Sequence, residues 1–450
     1  MSEGILRRNE RRGRGLDRRA LLAGLGAALA APALRSRASA ASPVLSLEAR
    51  PDTLALRPGQ PATPICSLAG GQGDQASTEL RFKRGDILQV QLGNATKAPI
   101  ALNWHGIDGV PASEPLLARA PLRPQATDSF AIPLRHAGTF MCDGRLLSGA
   151  ESPPSAARAL IVAESEAVTV DRDEVLLFED WRLRPDGSAV APGTAAGNAT
   201  SVVSVNRQNS LELSTRLHER LRLRLINGFQ RHVIAVKIEN HEVQVMALDG
   251  QPAEPFPARN RAVLLAPGGR ADVFIDAGLA ADAVANILLH DGVEARPVGR
   301  LIGSKEPPFR SAPLAPAGPL PDNGLPARLE LKGSLRVEVP LSGPQTNWVA
   351  PAAFTSSAAP AFRAKTGRIV VLTLKNPTAT PTVFHLHGHH FRLLDRLDDG
   401  WKPFWLDTLA VGPGETQLIA FAAEHAGRWL MEATAADWAA PRGLRWFSVD

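Results

Sequence analysis

The stretch Thr78 to Asn94 alternates apolar and polar residues on either side of a Gly85-Asp86 turn, the period-two pattern of two half-buried strands joined by a reversal. Its two strands, Leu80 to Phe82 and Ile87 to Leu92, and the further β-rich runs Ile100 to Trp104, Ser129 to Leu134 and Leu160 to Val162 are separated by Pro and Gly turns at the spacing of a β-sandwich. The logic recurs further on. Residues 362–376 repeat a turn glycine, a β-branched strand and an asparagine, and Leu221 to Asn227 followed by His232 to Ile238 forms a middle version. Three copies at roughly 130-residue spacing predict an all-β chain of three related sandwich domains. We place them at residues 44–165, 166–303 and 327–450, with the Pro-rich residues 304–326 as an extended linker, because Pro disfavours both helix and central strand.

Length and composition are compatible with this reading: 450 residues, 44% of them hydrophobic, suffice for several cores, and the 38 Gly and 37 Pro supply the many turns. The N-terminus changes the picture of charge. Arg18 and Arg19 precede an apolar Ala/Leu/Gly run and Ala38-Ser39-Ala40, so residues 1–40 read as a twin-arginine signal with an A-x-A cleavage site. This segment holds nine Arg against three acids, a net of +6, while the whole chain is at +5, which leaves the remainder at −1. The high pI therefore says nothing of nucleic acid, and no nucleic-acid partner is expected. The mature chain is expected in the periplasm or otherwise exported, with no transmembrane segment and with a cell-envelope protein as partner. Cys66 and Cys142 are the only cysteines. Export allows them a disulfide, and two separate buried thiols fit the sequence equally well.

Candidate chemistry is concentrated in Pro381 to Phe391, P-T-V-F-H-L-H-G-H-H-F, where four of the eleven histidines fall within six residues. His385 and His387 stand at alternate positions of an extended chain, so both imidazoles point to one side and can face one metal. Far upstream, Asn103-Trp104-His105-Gly106 ends another strand-like run. Together these motifs resemble the multicopper oxidase superfamily. The resemblance extends to E-V-L-L-F-E-D-W ending at Trp181, Ala247 to Pro252, Leu265 to Val273, Trp405 to Leu409, Val411 to Thr416 and His425 to Trp429, and thus covers almost the whole mature chain. It implies three cupredoxin-like Greek-key domains, with one copper near the surface and three between the first and third domains.

The ligands that this resemblance implies are mostly missing. For the surface copper, the family's imidazole, its H-C-H and its last imidazole fall on Thr382, on Glu432-Ala433-Thr434 and on Trp438, and the axial position falls on Gly443 or Leu444. No thiolate stands there to tune the copper. Of eight imidazoles around three coppers, His105, His385 and His387 remain, while Asn103, Asp143, Arg145, Glu432 and Thr434 occupy the other places. A guanidinium is permanently charged and cannot ligate a cation. Arg145 is expected to pair with Glu432, so that this polar set replaces the copper cluster structurally. His389 and His390 read as packed or hydrogen-bonded residues, and His136 and His425 carry no assigned role.

The expected function is that of a non-catalytic binding or scaffolding protein with degenerate copper sites, similar to copper-free, twin-arginine-exported cell-division proteins of the same superfamily. The full copper complement is not expected. One alternative is a copper-handling protein with a single copper on His105, His385 and His387. The other is a divergent copper-dependent oxidase that couples substrate oxidation to dioxygen reduction.

Overall fold

The structure, a computed structural model, describes residues 42–70, 78–147, 152–343, 346–394 and 401–450; the export signal expected over 1–40 lies outside the described residues. Six sheets pair into three sandwiches. In the first, the strands Thr63–Gly70, Val44–Leu54, Ile87–Asn94 and Thr127–Pro133, in that order, face a second sheet of Glu79–Lys83, Arg158–Ala163, Gly138–Leu146 and Ile100–His105. Val44–Leu54 runs parallel to Ile87–Asn94, and Glu79–Lys83 runs parallel to Arg158–Ala163. Parallel neighbours need crossover connections rather than hairpins. Leu45, Leu88, Ile132, Phe140 and Leu160 fill the space between the two sheets. The second sandwich pairs a six-stranded with a five-stranded sheet, and the third pairs two five-stranded sheets, each around its own core. This is the all-β, three-sandwich architecture that the repeats predict, and it agrees with the cupredoxin-like fold that the resemblance implies.

The repeated asparagine shows how one residue type organises each sandwich. Asn94, Asn227 and Asn376 are all buried at the end of a strand. The Oδ1 of each accepts the backbone N–H two residues on, from Thr96 at 2.9 Å, Phe229 at 2.9 Å and Thr378 at 3.1 Å. Nδ2 then donates to a carbonyl later in the same turn, of Ala98, His232 or Thr380, and to a distant one, of Leu122, Leu265 or Val411. One side chain thus satisfies three backbone groups in a turn too tight for them to satisfy one another.

The strand Arg220–Asn227 departs from the half-buried pattern: alternation would leave its arginines in water, yet all eight of its residues are buried. Leu221, Leu223 and Leu225 enter the second core. Arg222 and Arg224 turn instead to the interface with the first sandwich, where Arg222 reaches Glu164 at 2.6 Å and Arg224 donates to Thr139 Oγ1 at 2.8 Å. Asp272 and Asp173 complete their pairing, and Met141, Ala159 and Ile161 pack beside them on Val175, Leu177 and Ile226. Residues 304–326 carry no helix or strand, but the segment is docked: Leu320 packs with Met246 and Phe274, and Asn323 bonds both Ala137 and Gln251. Cys66 and Cys142 are separate buried thiols in the first core, and burial raises them to about 11 and about 12. No helix among the described residues is long and apolar enough to cross a membrane.

Replacing Asn227 by alanine strands a buried N–H and two carbonyls, so a loss of about 3 kcal/mol is expected. Urea denaturation should show a lower midpoint with an unchanged slope.

Candidate functional site between the first and third domains

Two antiparallel strand pairs build the site. In the first sandwich, Ile100–His105 lies against Gly138–Leu146, with Asn103 opposite Asp143 and Ala101 opposite Arg145. In the third, Thr382–Leu386 lies against Gly427–Ala435, with His385 opposite Glu432 and Val383 opposite Thr434. Directly opposite residues share a face, and so do alternate ones along a strand. Asn103, His105, Asp143 and Arg145 therefore present one polar face to His385, Glu432 and Thr434 on the other. Gly388 allows the histidine segment to turn here: its φ is +67°, and a Cβ would overlap the Trp429 ring. The Gly388 carbonyl accepts the Gly109 N–H at 3.1 Å, a direct backbone tie between the domains.

Arg145 bridges the two faces. Its Nε donates to Asp143 Oδ2 at 3.1 Å and its Nη1 to Glu432 Oε1 across the interface. Arg442, which the sequence reading did not single out, donates to the other Glu432 oxygen at 2.6 Å. Burial opposes ionisation of Asp143 and Glu432, but Arg145 together with Arg442 and a neighbouring histidine, His105 for Asp143 and His387 for Glu432, outweighs it and holds the two carboxyls well below their usual range. Asn103 donates to Asp143 at 3.1 Å and lies 2.9 Å from His105 Nε2. Thr434 lines the same space without joining this hydrogen-bonded set.

The three histidines come together as well, with ring centroids 4.5 Å apart for His105 and His385 and 4.7 Å for His385 and His387. Their nitrogens are in different states. His387 places Nδ1 2.7 Å from Glu114 and Nε2 3.2 Å from Glu432, so both nitrogens donate to carboxylates. Burial works against that charge, yet the two carboxylates raise His387 to about 9. His105 moves the other way: burial, reinforced by His385, lowers it to about 4. His385 Nδ1 lies 2.9 Å from Thr408 Oγ1, which itself donates to Asp407 at 2.7 Å; this chain fixes the tautomer and leaves the buried Nε2 lone pair without a partner among the described residues. The cavity between His105, His385, Glu432 and Thr434 measures about 20 Å³, room for one water-sized species. A three-copper cluster needs several unprotonated imidazoles around a shared space. A bridging guanidinium, a protonated His387 and this cavity do not fit it.

A second polar centre lies nearby, and its residues belonged to no expected site. His390 donates from Nδ1 to Asp108 at 2.6 Å, in the first sandwich, and from Nε2 to the Asp249 carbonyl at 2.9 Å, in the second. Burial opposes that charge, but Asp108, with Asp407 and the Asp249 carbonyl, outweighs it, and His390 is raised to about 9. Asp108, His136 and His390 could converge on a metal, since their ligand atoms lie within 4.8 Å of one another, but in this structure His390 is an ion-pair partner with both nitrogens engaged. Beside it, Arg270 of the second sandwich is fully buried and grips Asp407 of the third through two bonds, of 2.9 and 2.7 Å, while its Nε donates to the Thr139 carbonyl of the first. Asp249, Arg270 and Asp407 each sit in a motif that carries the family resemblance, and a charge beside glycines and apolar residues was the available signal. Glu114 had none.

Removing the bridge should be costly. Arg145→Ala leaves Asp143 and Glu432 short of a partner in a buried setting, so a loss of about 3 kcal/mol or more is expected in urea denaturation. The pH response has a defined sign. His387 and His390 have folded-state values of about 9, above the ordinary value of about 6.5. Their contribution is complete below that ordinary value and is lost as pH rises through 9. Denaturation midpoints should therefore fall between pH 7 and pH 9, about neutral to mildly alkaline, and His390→Gln should flatten that slope. His105, lowered to about 4, acts on the acid side, where its contribution is lost as pH falls from about 6.5.

Comparison with known proteins places this geometry. One multicopper oxidase family model matches residues 169–286 and a second matches 332–445. Multicopper oxidase MmcO of Mycobacterium tuberculosis is 24% identical over 411 residues, which cover 78% of this chain and 77% of that protein. The crystal structure of a multi-copper oxidase from Pseudomonas thermotolerans superposes with a TM-score of 0.77 at 23% identity, covering 92% of this chain and all of that one. Lac15 from a marine microbial metagenome gives 0.73 at 24% identity, covering 90% of this chain and 100% of its own. With both family models falling on the second and third sandwiches and the likeness in fold spanning all three, the chain belongs to the multicopper oxidase superfamily.

Proposed function

We propose that this chain is a non-catalytic member of its superfamily, exported to the cell envelope and acting there as a binding or scaffolding protein. The Arg145 bridge to Asp143 and Glu432 carries this reading, because a permanent cation stands where the family places copper. The missing thiolate supports it further. Cys66 and Cys142 are buried in the first core, and Ala433 occupies the position between Glu432 and Thr434. Function follows the site rather than the fold. Export rests on the paired arginines and A-x-A pattern of residues 1–40.

One observation favours a second reading, a protein that holds a single copper. The His385 Nε2 lone pair is buried beside the His105 ring without a partner among the described residues, and two imidazoles suffice for a soft monovalent ion. His387 would take no part while both its nitrogens are held by carboxylates.

Metal analysis after copper loading, paired with dioxygen uptake on a phenol substrate, separates these readings. No bound copper and no uptake are expected. One copper that disappears in His385→Ala would establish the second reading. Three or four coppers with a blue absorption band and dioxygen consumption would restore the oxidase.

A further inference from the structure

A cavity of about 280 Å³ opens where the three sandwiches meet, beside the Arg145 bridge. Its walls are largely apolar, with Leu146 and Pro154 from the first sandwich, Pro192 from the second and Pro351 from the third. Its charged groups are Arg145, Arg231, Arg442 and Asp143.

The charge there is unbalanced. Arg145 and Arg442 share Asp143 and Glu432, as described above. Arg231 has no carboxylate in ion-pair contact among the described residues: its Nε donates to the Ala440 carbonyl at 3.1 Å and its Nη1 to the Gln230 carbonyl at 2.7 Å. Asp180 acts on it only from a distance, and accepts the Gln230 N–H instead, at 2.9 Å. Among the described residues, three guanidiniums therefore line the cavity with one carboxylate, Asp143, while Asp180 and Glu432 act on Arg231 from outside its lining. Arg231 is only 3% exposed, and a cation so buried is normally paired. Burial, and after it Arg442, presses Arg231 down to about 9.

The unused donors have a shape. Arg442 spends Nη1 on Glu432, and its Nε and Nη2 make no hydrogen bond among the described residues. Those two atoms form the edge of a guanidinium that grips a carboxylate through two parallel bonds. Arg231 Nη2 is likewise without a hydrogen bond among the described residues. An Arg231 without a carboxylate in ion-pair contact among the described residues, an open two-donor edge on Arg442 and apolar walls specify a ligand with a single negative charge on an apolar body. The volume lies just below the range of about 300 to 1,000 Å³ in which drug-sized ligands are held, so the ligand is small.

We propose that the cavity between the three sandwiches is a binding site for a small apolar monocarboxylate, held by Arg442 and Arg231. The site stands apart from the metal question, since neither a copper-free nor a one-copper chain needs those two arginines as ligands.

The test is isothermal titration calorimetry of the full chain with benzoate, with its neutral isostere benzamide, and with inorganic phosphate. Benzoate should bind, and benzamide should bind at least about tenfold more weakly, since a charge-assisted pair is worth a factor of this order. Phosphate, which has no apolar body, should be weaker by a similar factor, about tenfold. Arg442→Gln and Arg231→Gln should each weaken benzoate to the same extent. Absence of benzoate binding at about 10 mM, a concentration that reveals even millimolar affinity, would overturn the proposal. Equal affinity for benzamide would also overturn it, as would equal affinity for phosphate. Should either variant fail to fold, the three ligands compared on the native chain still decide.

Discussion

A guanidinium taken out of water must be surrounded by acceptors, and this requirement governs how the three sandwiches are held together. Arg222 and Arg224 tie the second sandwich to the first, Arg270 ties the second to the third while touching the first, and Arg145 ties the first to the third. Each depends on carboxylates or carbonyls presented by a different part of the chain. Such pairs add little net stability over well-packed apolar residues, because desolvation offsets most of their attraction. Their effect is directional: any other docking of the sandwiches would leave a charge buried and unpaired.

Much of the fold was legible in the sequence because its signals are local. The Gly85-Asp86 turn with its flanking alternation, and the three asparagines at strand ends, each report a constraint satisfied within a few residues. The strand Arg220–Asn227 was harder, since alternation identifies a strand but not whether its polar face meets water or another domain. Glu164, Asp173, Asp272 and Asp276, at distant positions, make those arginines burial-competent. At the site, the spacing of His385 and His387 and the motif at His105 pointed to three imidazoles that do come together. Their chemical states were not readable, because these depend on Glu114, Thr408 and Arg442, which enter from elsewhere. Sequence spacing shows which side chains share a face, whereas protonation is set by what the opposite face supplies.

Seen together, the two polar centres divide the buried imidazoles into two kinds. His387 and His390 are cations clasped by acids, while His105 and His385 are kept neutral by burial. All four lie within the same inter-domain layer, so exposure to solvent cannot explain the difference. The closeness of the carboxylates and what else holds them does: Glu114 and Asp108 lie 2.7 and 2.6 Å from His387 and His390, and Glu432 adds a second acid to His387, whereas the acids nearest His105 and His385, Asp143 at 3.3 Å and Asp407 at 3.6 Å, lie further off and are engaged by Arg145 and Arg270. The superfamily's scaffold brings imidazoles together, and the residues around them determine whether they are metal ligands or structural cations.

Both cysteines lie in the first core, in the strands Thr63–Gly70 and Gly138–Leu146, and burial keeps each thiol far from its reactive thiolate form. The other two sandwiches contain none. The intact chain thus carries its own natural stopwatch: a thiol label enters only when the first sandwich opens, and the rate of labelling times the loosening of that sandwich separately from its neighbours.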